Sequence, residues 1–153
     1  MPLRRNLLLP LLFLLAACAT PAEEPVAYGP RPPGTARLVF YRVLHYYNYG
    51  SFQVLTLALN NNVVGTLPQA AAIYRDVAPG AYTVSFSPTS SAPDQFKTIT
   101  AAAGNVFFIR LDELPKRCTG LDGGGCSIAG FTSTVIEPST AQNEMRELPL
   151  LRG

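Results

Sequence analysis

Apolar and polar residues change places in short runs along this 153-residue chain, with turn-forming residues between the runs, a pattern that predicts strands. Leu38 to Leu44 is apolar on both alternating faces, as a fully buried strand would be. In Phe52 to Asn60, Leu55, Leu57 and Leu59 share one face, and Asn60-Asn61-Asn62 supplies residues that tolerate positive φ. Val63 to Leu67 is therefore expected to fold back as a hairpin partner, weakened by Gly65. Ile73 to Val77 reads as a short strand, although Gln69 to Ala72 could also form a turn of helix. Pro79-Gly80 marks a turn. Tyr82, Val84 and Phe86 then alternate with Thr83, Ser85 and Ser87, giving one apolar and one wet face. After a polar loop from Pro88 to Asp94, strands are expected at Phe96 to Thr100, Val106 to Leu111 and Phe131 to Ile136. Ser139 to Gln142 has capping-box spacing, and Ala141, Met145 and Leu148 share a helical face. A two-turn helix from about Thr140 to Glu147, ended by Pro149, follows from that spacing.

The first 36 residues obey different rules. Arg4 and Arg5 precede an apolar run from Leu7 to Leu15, and Leu15-Ala16-Ala17-Cys18 closes it. Together these make a secretory signal whose end resembles the bacterial lipoprotein processing site, or lipobox. The resemblance implies removal of residues 1–17, a diacylglyceryl group on the Cys18 sulfur and acylation of the new amine, palmitate being one such acyl group. An ordinary A-x-A cleavage site at Ala17-Cys18-Ala19 is the rival reading, and would leave a soluble exported protein. A retained transmembrane helix fits poorly, because Pro10 interrupts an apolar stretch well short of the ~20 residues a bilayer core requires. Each buried CH2 of an acyl chain contributes ~0.8 kcal/mol, so two or three chains anchor firmly. By analogy, Ala19 and Thr20 after the cysteine imply the outer membrane, with the protein facing the periplasm.

Residues 18–36 carry Pro21, Pro25, Pro30, Pro32 and Pro33 with almost no apolar periodicity. An extended tether is expected, with a reach on the order of 50 Å in polyproline form. The other reading of this stretch lays part of it against the domain as an edge segment. Residues 37–153 suffice for a single domain with a modest core.

Composition narrows the picture further. Without Arg4 and Arg5 the chain has ten basic and ten acidic residues, so it offers neither a basic stripe for nucleic acid nor a polybasic membrane patch. Abundant Val, Leu, Tyr, Phe, Thr, Gly and Pro favour a mostly β fold. With Cys18 lipidated, Cys118 and Cys126 remain, and an oxidising compartment can join them across Thr119 to Gly125. Such a ring stabilises by roughly 2 to 3 kcal/mol in the chain-entropy model; two free thiols are the alternative. One histidine and no paired C-x-x-C make a zinc site a poor fit.

Four stretches also carry a family resemblance: Leu38-Val39-Phe40-Tyr41-Arg42, Asn62 to Leu67, Val77 to Val84 with its Ala78-Pro79-Gly80 turn, and Ala103 to Leu111. They look like a class of small bacterial lipoproteins with an uncharacterised all-β domain, similar to PEGA-type and carboxypeptidase-regulatory-like sandwiches. The resemblance covers about Arg37 to Leu148. It implies a prealbumin-like β-sandwich, and it implies no enzyme; the periodicity read above makes that a single sandwich of about seven strands with a short C-terminal helix, and no residue pattern calls for a cofactor. The glycine-rich Cys118 to Cys126 segment departs from that pattern.

Candidate chemistry is sparse. His45 is the only imidazole and has no carboxylate near it in sequence, so it reads as a surface-loop residue. Around it, Tyr46, Tyr47, Asn48 and Tyr49 can present flat rings and hydroxyls to a sugar or a peptide, or can cap one end of a sandwich. Leu121-Asp122-Gly123-Gly124-Gly125 lacks the helix and lysine of a phosphate loop and the ligand spacing of a calcium loop. Arg42, Arg75 and Arg110 read as solvated-face residues, able to meet carboxylates such as Asp76. Two classes of function remain. One is a membrane-anchored, non-catalytic binding or scaffolding module that contacts an envelope protein, peptidoglycan or glycan through a sheet edge or the aromatic loop. The other is an accessory domain or enzyme acting on cell-wall or glycan substrates through a site with no motif.

Overall fold

The computed structural model describes residues 28–44, 54–87, 96–115 and 128–151. These residues form two packed sheets and one helix. Strands are β1 (Ala36–Arg42), β2 (Leu55–Leu59), β3 (Asn62–Leu67), β4 (Ala71–Val77), β5 (Gly80–Ser87), β6 (Lys97–Ala101), β7 (Val106–Pro115) and β8 (Ile128–Ile136). Helix α1 (Pro138–Met145) and a two-residue strand β9 (Leu150–Leu151) follow. One sheet runs β8-β7-β1-β4-β9 and the other β3-β2-β5-β6, so the fold is an all-β sandwich.

Strand β1 is buried along its whole length, and its two faces serve two cores. Leu38 and Phe40 join Leu55, Leu57, Ile73, Val84, Phe86, Ile109 and Leu111 between the sheets. Val39 and Tyr41 face the other way, into a second cluster with Tyr28, Ala72, Phe108, Ala141 and Met145 beneath α1. The helix therefore explains why the sequence of β1 shows no wet face. Sandwiched between antiparallel β4 and parallel β7, β1 is the axis of its sheet.

Turn chemistry fixes the hairpins. Asn60 and Asn61 sit at φ 48° and 65°, giving the two-residue loop between Leu59 and Asn62 with positive φ at both centres, which suits the twist of the flanking strands. The amide of Thr83 donates to Asn60 Oδ1 at 2.8 Å and ties this turn to β5. At Gly65 the β2–β3 ladder shifts register; a Cβ there would lie 2.5 Å from Ile73 Cδ1 of the facing sheet. Glycine thus lets the two sheets approach closely on the β3–β4 side.

Three sequence expectations are corrected. Helix α1 begins at Pro138 with Glu137 as its N-cap and no side-chain cap bond, so Ser139 lies inside the first turn. Proline at the first helical position pre-sets φ and has no N–H to satisfy, which favours the earlier start. Part of the stretch expected as tether is docked: Tyr28 is buried, and its hydroxyl lies 3.5 Å from Met145 Sδ. Arg42, expected on a solvated face, is 1% exposed.

Candidate functional site

The residues that the sequence singles out for chemistry, Cys18, His45, Tyr46, Tyr47, Asn48, Tyr49, Cys118 and Cys126, lie outside the described residues. The described residues supply three buried or half-buried ion-pair groups and one groove.

Each ion-pair group closes a different part of the fold. At the start of β1, Arg37 makes a two-pronged pair with Asp76, at 2.7 and 2.8 Å. Its third nitrogen donates to the Gly29 carbonyl at 2.9 Å, and its guanidinium lies over the rings of Tyr28 and Tyr74. This arrangement holds the incoming chain against β4. Burial pushes the Tyr28 hydroxyl up to about 12, with the Arg37 charge opposing. At the far end of β1, Arg42 meets Glu113 at 2.5 Å, with side chains 1% and 3% exposed. Gln69 Nε2 also donates to Glu113 at 3.0 Å, and Arg42 donates to the Leu67 carbonyl. Burial lowers the Arg42 pKa while the Glu113 carboxylate works to raise it.

The third group clamps the helix. Arg110 bonds Asp112 at 2.9 Å and Glu144 of α1 at 2.7 Å. Tyr41 donates to the other Glu144 oxygen at 2.6 Å. Burial opposes the charge on Arg110, but the two carboxylates outweigh it and its pKa rises. Burial first, and then the bond to Glu144, push the Tyr41 hydroxyl above its ordinary value. All three groups are held by mutual pairing and by burial, the arrangement of structural latches. Among the described residues no group of three or more His, Cys, Asp or Glu could hold a metal ion, and no helix is long and apolar enough to cross a membrane.

The groove arises because, among the described residues, the sandwich closes on one side only. On the β3–β4 side, Gly65 permits close approach and Arg75 donates to the Val64 carbonyl across the gap. On the opposite side β6 and β8 are the terminal strands of their sheets. Between them lies a groove of about 490 Å³ lined by Phe96, Lys97, Thr98, Thr132, Ser133 and Thr134. That volume falls within the ~300 to 1,000 Å³ range of ligand pockets. Register explains the lining. Ser133 stands opposite Leu111, whose side chain belongs to the inner core, so Ser133 also faces inward. Lys97 shares the face of Ile99 and Ala101 on β6.

Ser133 is 5% exposed, and its hydroxyl has no hydrogen-bond partner among the described residues. An unmet buried hydroxyl costs roughly 1 to 3 kcal/mol, so its presence in a groove wall calls for an explanation. Phe96 stands 62% exposed at the same groove. In the sequence, Thr132-Ser133-Thr134 looked like ordinary strand, and only the unequal closure of the two sides gives it a role. No family model matches the chain, and no curated protein matches it either.

Proposed function

We propose that this chain is a non-catalytic binding or scaffolding module of the cell envelope, anchored by acyl groups on Cys18 and facing the periplasm from the outer membrane. On this reading Cys118 and Cys126 form a disulfide, and the partner is an envelope protein, peptidoglycan or a glycan. The observation that carries the reading is the groove between β6 and β8, lined in part by Ser133, whose buried hydroxyl has no partner among the described residues. Two further features favour it. The charged side chains of the ion-pair groups neutralise one another instead of converging on the groove. The incoming chain is pinned against β4 at Tyr28 and Tyr74, 5.6 Å between ring centres. Because β4 is three strand intervals from β8, that point lies roughly 14 Å across the sheet from the seam.

The test places a photo-crosslinking residue at position 96, on the groove rim, and irradiates intact envelopes. Discrete adducts are expected from the native chain and not from Cys18→Ser. Intact-mass analysis of the same preparations reports the acyl groups. An unmodified chain, or an absence of adducts from position 96, overturns the proposal.

A further inference from the structure

Among the described residues four strands end the two sheets, and three of them are poor templates for another chain. Strand β9 has two residues, β3 is broken by the register shift at Gly65, and β6 is five residues long with Lys97 on its inward face. Short length, bulges and inward charges are the usual devices that stop a sheet edge from pairing. Strand β8 has none of them along its groove side. Its nine residues, Ile-Ala-Gly-Phe-Thr-Ser-Thr-Val-Ile, include no charge and no proline. Its own bulge is confined to its first three residues, where Gly130 and Ile128 oppose Leu114 and Pro115, away from the groove-lining Thr132, Ser133 and Thr134. Val135, 41% exposed, continues the inward face past Ser133. An uncharged, β-branched edge of this length is a liability unless something covers it.

We propose, building on the binding-module reading, that the seam takes an extended polypeptide segment of a partner protein, which adds as a strand to the edge of β8 that no strand of the described residues covers. Main-chain groups of the segment pair with β8, and one of its polar groups meets the Ser133 hydroxyl. An acidic side chain of the segment meets Lys97, which makes no ion pair among the described residues. Lys97 also argues against a second copy of this chain as the occupant. Two-fold pairing of β8 with β8 would bring two Lys97 ammonium groups to one seam, where like charges repel. Strand addition draws its affinity from main-chain hydrogen bonds and its preference from alternate side chains, so the seam should accept many sequences that share this pattern.

The experiment measures fluorescence anisotropy of labelled, end-capped heptapeptides alternating Thr and Val, with Glu or Lys at the centre, against the full chain in detergent. A third peptide carries the Glu sequence with alternate amides N-methylated. The Glu peptide is expected to bind about fivefold more tightly than the Lys peptide, as for an exposed ion pair. Lys97→Glu should reverse that order, and Ser133→Ala should weaken the Glu peptide by roughly 2- to 10-fold. The N-methylated peptide should not bind. Urea midpoints of both variants establish that they fold.

Equal binding of the N-methylated peptide overturns strand addition, as does failure of every peptide at millimolar concentration. So does concentration-dependent dimerisation that peptide cannot compete away, since it makes a second copy the occupant. If peptides fail while position 96 still crosslinks in envelopes, strand addition falls and the binding-module reading stands. If peptides bind and no envelope adduct forms, the reverse holds.

Discussion

Replacing Glu113 with Gln leaves the Arg42 guanidinium in place and removes the charge opposite it. The two side chains are 1% and 3% exposed and meet at 2.5 Å, so water cannot take over the lost interaction. Removing one member of such a pair costs about 3 to 5 kcal/mol, because the surviving charge stays buried after losing the opposite charge that met it. Against a domain stability of roughly 5 to 15 kcal/mol, that is a third or more of the total in many cases. Arg42→Met should cost a similar amount, since Glu113 would lose the guanidinium it meets at 2.5 Å while remaining buried beside the neutral Gln69 amide at 3.0 Å. The double variant Arg42→Met/Glu113→Leu removes both charges and should lie within about 2 kcal/mol of the parent. Apolar replacement is near neutral for buried pairs, and the Gln69 amide and Leu67 carbonyl each forfeit about 1 kcal/mol of hydrogen bonding. With Glu113→Leu alone as the second single, again at about 3 to 5 kcal/mol, a coupling energy of at least about 4 kcal/mol is the expected signature. Urea denaturation followed by far-UV circular dichroism measures the parent and each variant with one slope. A loss below about 1 kcal/mol for Glu113→Gln, or a double variant equal to the sum of the singles, would refute the reasoning.

Other consequences can be tested on the same chain. Ser133→Ala should leave the free protein unchanged or stabilise it by up to about 1 kcal/mol, since it deletes an unmet buried hydroxyl; a clear drop in urea midpoint would show that the hydroxyl has a partner. Gly65→Ala should destabilise by about 2 to 4 kcal/mol, because the new Cβ meets Ile73 at 2.5 Å at φ +155°; a midpoint within error of the parent contradicts this. Tyr28, raised to about 12 in the folded state, favours its neutral form there, so its contribution is complete below pH about 10 and fades between about 10 and 12. Tyr41 is raised as well, and the alkaline loss of stability should be shallower in Tyr28→Phe and shallower again with Tyr41→Phe added. An unchanged alkaline limb would remove burial as the cause.

Much of the strand plan was legible because it depends on local periodicity and turn residues. The Asn60-Asn61 turn, the Pro79-Gly80 turn and the alternation in β5 all appear where sequence reasoning puts them. Strand β9 was not, for two residues carry no period and pair with Ala72 and Ile73 only through the fold. The helix start moved because proline at the first position outweighed a capping pattern two residues on.

Sequence by itself determined that this chain builds strands around a modest apolar core, because side-chain periodicity and positive-φ turns act over a few residues. Tertiary structure alone decided where the charges go. Arg37 and Arg42 look like any strand arginines in sequence; pairing of β1 with β4, and approach of β7, bring Asp76 and Glu113 to them from 39 and 71 residues away. The seam has the same origin: Lys97 and Ser133 are brought to one groove only because the sheets meet on the β3–β4 side and stay apart on the other. A residue's neighbours along the chain cannot report which edge of a sandwich is left open.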